Sequence, residues 1–148
     1  MQVNSKISFY IGKKFFSYFC LTLLVFVSLI GLIDFLEIAR RAQNKTVDLP
    51  ILFYLVFFKL PSLLQEIAFF LILIAALLTL NKLNSRLEIA VMRSVGISIW
   101  KILSPLLLTS FLIGVFWVTV FNPYVSWSKS QYEKYDRLYL GGAVLSDT

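Results

Sequence analysis

The chain contains no histidine and a single cysteine, Cys20. Without histidine, the commonest general base and transition-metal ligand is missing. One cysteine inside an apolar run forms no internal disulfide and is expected to pack as a small hydrophobe. No pair of carboxylates has metal-ligand or glycosidase spacing, and no GxxxxGK[ST] segment occurs, so the chain builds no phosphate-cradling loop for nucleotide. These gaps argue against an enzyme and against any cofactor. Charge is scarce as well, at 15% of residues against about 25% in an average soluble domain.

What fills the space is hydrocarbon. Of the 148 residues, 59% are hydrophobic and 16% aromatic, and mean hydropathy is +0.82. A soluble domain of this size cannot hide so much apolar surface, so the expected solvent is a bilayer. Net charge is +6. In this setting the excess fits cytoplasmic loops and anionic headgroups better than nucleic acid.

Three apolar segments have the length of membrane spans. The first, 15–33, lies between Lys14 and Asp34; it is longer than a signal-peptide core and no small-residue cleavage site follows. The second, 61–81, places Pro61 in a first helical turn. The preceding "ILFYLVFFKL", broken by Lys59, reads as an interfacial helix leading into it. Glu66 is either an intramembrane acid, functional by default, or a headgroup-level residue met by Lys59 or water. The third span is 103–121. Ser104-Pro105 marks its first turn or a kink in a longer helix, and Asn122-Pro123 is expected to end it. Gly31 and Gly114 are candidates for close helix contacts. Seven basic residues fall on each side of this arrangement. Their density in the short N-terminal and 82–101 segments favours those in the cytoplasm.

The segment "SRLEIAVMRSVG" joins the second and third spans. It is free of glycine and proline until Gly96, which suits a helix C′ position. As one continuous helix it gathers Leu87, Val91, Met92 and Val95 into an apolar stripe with Glu88 inside, while Arg86 and Arg93 share the opposite face. An acid in an apolar stripe needs a cation or donor. Two readings follow: a face that docks into a partner's groove carrying a basic residue, or a linker helix on the bilayer with Glu88 held by Arg86 or water.

Three stretches, in order and in register, carry a resemblance. "YIGKKFF", "SLIGLIDFLEIARRA" and "SRLEIAVMRSVGISIWKILSPLL" resemble the N-terminal half of the LptF/LptG permeases of lipopolysaccharide export, LptG more than LptF. The resemblance implies an all-α integral membrane fold: three transmembrane helices with a short cytoplasmic coupling helix between spans two and three. Family members carry six spans, with a periplasmic jellyroll domain between the third and fourth. Two homologous permeases pair in the bacterial inner membrane above a cytoplasmic ABC ATPase dimer and enclose a cavity for lipopolysaccharide. A periplasmic bridge protein is met through the jellyroll.

On this resemblance, Glu88 is the coupling acid, with Arg86, Val91, Met92, Arg93 and Gly96 around it in the ATPase-facing segment. Arg40, Arg41 and Lys45 take the place of basic residues that hold lipid phosphates, and Asp34 stands where the family has a further basic residue. The second trio of spans and the jellyroll do not fall within 1–148, so the expectation is half of a permease. The alternative is a small membrane adaptor or structural subunit, or a nonfunctional remnant.

Overall fold

The computed structural model describes residues 2–43 and 47–140, with side chains from Ser5 onward. All of its described elements are helical. α1 runs Gln2–Ala42, α2 Leu49–Ser85, α3 Glu88–Ser94 and α4 Ile99–Phe116. A π-helical turn, Trp117–Phe121, leads from α4 into α5, Asn122–Tyr135, and a second π segment covers Asp136–Leu140. Among the described residues, three helices are long and apolar enough to cross a membrane: Ser5–Ala42, Leu49–Ser85 and Ile99–Leu140. At 1.5 Å per residue, 42 residues extend roughly 63 Å, about twice a bilayer's hydrocarbon core.

Each expected apolar segment lies within one of these helices, but the expected ends are corrected. Residues 51–60 are not a separate interfacial helix; they continue through Pro61 as part of α2. The third helix starts at Ile99, so of the two readings of Pro105 the position inside a longer helix is the one realised, not the first turn. Asn122-Pro123 does not end it, because the π turn precedes Pro123 and the chain resumes as α5. In an α-helix Pro123 would press on the carbonyl of Thr119 and could not donate to it. A widened turn immediately upstream relieves that clash.

The chain forms two compact units. One comprises Met1–Leu24 and Ala68–Trp117. Its buried residues recur at helical spacing: Ile11, Phe15 and Phe19 on α1, then Leu71, Ala75, Thr79 and Leu83 on α2. Ile102, Pro105 and Leu106 supply the inward face of α4. Phe19 meets Trp117 edge-on at 6.1 Å. Gly12 is the close-approach glycine here, since a Cβ would stand 3.1 Å from Thr109 Oγ1. That hydroxyl is itself tied to the Pro105 carbonyl. Gly114 has open space around it and Gly31 only ordinary contact with Leu60, so neither plays the expected part. Cys20 is exposed rather than packed, on a surface whose many bare Leu, Phe and Val side chains suit lipid.

The other unit comprises Val25–Ile67 and Val118–Thr148. Ile38, Ala42, Leu52, Leu55 and Val56 make its core, with Phe35, Leu60, Tyr132 and Tyr135 packed against it. Buried Ser128 on α5 donates to the Phe58 carbonyl at 2.6 Å. Phe58 lies three residues before Pro61, where a missing N–H and the ring's bulk loosen the helical ladder. A hydroxyl from a neighbouring helix is one way membrane helices re-satisfy such a site. Ser128→Ala should therefore destabilise the protein by about 1 kcal/mol in unfolding experiments in detergent, while the exposed neighbour Ser130→Ala should leave stability unchanged.

Candidate functional site

The segment between the second and third spans is not one continuous helix. α2 ends at Ser85, Arg86 and Leu87 form a turn, and Leu87 adopts a left-handed conformation with φ 57°. The turn is closed by Arg86 N–H to Lys82 O and Leu87 N–H to Asn84 O. Arg86 is therefore not on the helix of Arg93, and the expected shared arginine face does not form. The expected stop is in place. Gly96 has φ +84°; its N–H bonds Arg93 O, and Ile97 N–H bonds Met92 O. This pair of bonds defines a Schellman cap, for which glycine at C′ is the favoured residue.

α3 has seven residues, none of them fully buried. Glu88, Ile89 and Met92 are half-covered. Leu87, Val91 and Val95 are 65%, 61% and 75% exposed, a bare apolar edge four residues apart. Arg86 and Arg93 are exposed. Glu88 meets neither Arg86 nor open water alone. Lys14 Nζ on α1 lies 2.9 Å from both of its carboxylate oxygens. The pair is mostly shielded, with side chains 14% and 21% exposed. Tyr10, one turn before Lys14, accepts from the ammonium at 3.2 Å and presents its ring 5.1 Å from it. Its hydroxyl also approaches Glu88 Oε2 at 3.5 Å. A cation between a carboxylate and an aromatic face is stabilised by both.

The second charged cluster lies in the other unit. Lys59 donates to buried Asp34 at 2.7 Å and stands 3.9 Å from Glu37. Glu37 in turn pairs with Arg41 one helical turn along α1. Asp34 Oδ2 is buried without a hydrogen-bond partner. Lys59 thus belongs to Asp34, and the alternative that pairs it with Glu66 is not realised; Glu66 is exposed. Arg40 and Arg41 are both exposed in the last turn of α1, with Arg41 already neutralised by Glu37. Lys45 lies outside the described residues.

The sequence profile described as "Lipopolysaccharide export system permease LptF/LptG" matches residues 9–147. The chain belongs to the LptF/LptG family. No individual curated protein matches it. Membership in this family makes it a transporter component for lipopolysaccharide export rather than a catalytic enzyme, working within a complex. With three membrane-length helices it is a multi-pass inner-membrane protein.

Neither Lys14 nor Lys59 stands out in the sequence as a site residue. The signal for Lys14 was local: it follows Tyr10 by one turn at the edge of an apolar run. The Lys59 pairing makes a direct prediction. Asp34→Ala strands a largely covered ammonium and should cost about 3 kcal/mol of stability in detergent. Adding Lys59→Met should recover most of that loss, because the apolar replacement needs no partner.

Proposed function

We propose that this LptF/LptG chain is the energy-receiving half of an ATP-driven lipopolysaccharide extractor. It pairs with a second homologous permease, and both stand on a cytoplasmic ABC ATPase dimer. The N-terminus and the 86–98 connection lie in the cytoplasm, and the 43–48 connection in the periplasm. α3 acts as the coupling helix. Its segment, from Arg86 through Glu88, Val91, Met92 and Arg93 to Gly96, contacts a groove in the ATPase. Closure of the ATPase on ATP displaces α3, the spans joined to it shift, and the cavity expels lipid toward the periplasmic side.

The observation that carries this reading is the bare apolar set of Val91 on the short helix α3 with Leu87 and Val95 at its two caps, closed at Gly96. Exposed hydrophobic side chains along a short helix are what helix-in-groove docking uses for anchorage. The arginines beside them suit acidic residues on the groove's rim. At the other end of α1, Arg40 and Arg41, with Lys45 close by in sequence, meet lipid phosphates. Guanidinium groups bind phosphate through paired, charge-assisted hydrogen bonds. Arg40 carries more of this role, since Glu37 competes for Arg41.

Val91→Asp in the assembled export complex should place a charge in an apolar groove, and ATPase co-purification and lipid release should each fall at least about tenfold. Unchanged co-purification would overturn the docking role of α3. Arg40→Ala should weaken lipopolysaccharide photocrosslinking to the outer end of α1 by about fivefold, in line with the loss of one charged hydrogen-bond donor.

A further inference from the structure

A cavity of about 110 Å³ opens between α1 and the start of α4, lined by Ile7, Ser8, Ile97, Lys101 and Ser104. All five residues belong to one compact unit. Ile7 and Ser8 come from α1, and Ile97 from the stretch between α3 and α4. Lys101 and Ser104, three residues apart on α4, share a face. Two isoleucines thus supply hydrocarbon, while an ammonium and two hydroxyls supply polarity. Among the described residues no carboxylate lines the cavity. Nor, among those residues, has any of the three polar side chains a hydrogen-bond or ion-pair partner.

Converging donors without an acid suit an anion. Lysine brings a compact point charge, and each serine a rotatable O–H donor. Where the cavity lies decides which anion. It stands at the head of the third membrane-length helix, and Trp100, next to Lys101, is 72% exposed. Tryptophan and lysine at the end of a span are headgroup-level residues. One turn deeper on the same face, Leu108 is 62% exposed, a surface fit for acyl chains. An anion matched to the whole of this face is attached to hydrocarbon, with its charge at the cavity and its chains along α4. Free phosphate would use the first part of that surface and not the second.

We propose that Ser8, Lys101 and Ser104 bind the phosphate of an anionic phospholipid in the leaflet that the N-terminus faces. The lipid bridges α1 and α4 where the connection from α3 enters the third span. On the orientation proposed above, that leaflet is the cytoplasmic one. The site requires neither that orientation nor the coupling role of α3, so its failure and theirs are separate results.

The test uses the assembled export complex in phosphatidylcholine nanodiscs containing phosphatidylglycerol with a photoreactive diazirine beside its headgroup. Mass spectrometry reads the yield of crosslinks to the 7–8 and 97–104 segments. Lys101→Met should lower the yield about fivefold, the scale of one basic residue against an anionic lipid surface. Ser8→Ala combined with Ser104→Ala should lower it about threefold, and Lys101→Arg should hold it within about twofold. Lys13→Met, which alters an exposed lysine outside the cavity, should also leave it within about twofold. Unlabelled phosphatidylglycerol should compete, whereas equal amounts of phosphatidylcholine or inorganic phosphate should not. An unchanged yield in Lys101→Met would overturn the proposal. So would an equal loss in Lys13→Met, which would mean diffuse attraction to surface charge in place of a built site. Competition by phosphatidylcholine or inorganic phosphate as strong as by phosphatidylglycerol would overturn it too, because the cavity would then not select an anionic lipid.

Discussion

Inside a bilayer no water is available to a backbone N–H or C=O, and each one left unbonded costs several kcal/mol. That constraint explains why the apolar segments lie inside unbroken helices. It also explains how they survive their prolines. In water, Pro61, Pro105 and Pro123 would each be a natural helix end. Here the helix continues in every case. One turn before Pro61, the neighbouring Phe58 carbonyl accepts a hydrogen bond from the Ser128 hydroxyl; before Pro123 the turn widens to π geometry. Ending a helix at depth would expose several backbone groups at once, whereas a local repair involves only one or two.

The same low-dielectric surroundings decide where charge is tolerated. Among the described residues, the two best-covered ion pairs each join different helices, Lys14 to Glu88 and Lys59 to Asp34. An isolated ammonium or carboxylate at these positions would be expensive, and an ion pair recovers the cost only with good geometry. Lys59 is well served, with Asp34 at 2.7 Å and Glu37 close by. Asp34 is less well served, since its second oxygen is buried and unbonded. Such pairs fix which faces of two helices meet, something a slippery apolar interface does poorly.

The spans were legible in the sequence because lipid selects long uncharged runs, and a run such as Phe15 to Ile33 suits little besides a bilayer. Helix ends were not legible. Lys59 looks like an interruption of an apolar run until its partner on α1 is known, and Asp34 lies 25 residues upstream. The same non-locality hid the bond to the Phe58 carbonyl, whose hydroxyl comes from 70 residues away. At the candidate site, periodicity singled out Glu88 as an acid needing a cation, and the Gly96 cap was readable from the residue alone. The wheel failed at Arg86, because no local rule places a leucine in left-handed geometry and so breaks the helix at Leu87.

That break changes what the loop helix offers its surroundings. On a continuous helix, Glu88 would be the distinctive group of an apolar face, and a complementary partner would need a basic residue at the groove's centre. With Leu87 left-handed and Glu88 held by Lys14, the exposed surface is apolar along Leu87, Val91 and Val95, and basic at Arg86 and Arg93. A partner matched to that surface needs an apolar floor and an acidic rim. To reach Glu88 it would first have to displace Lys14 from two hydrogen bonds, leaving a largely covered ammonium without its carboxylate.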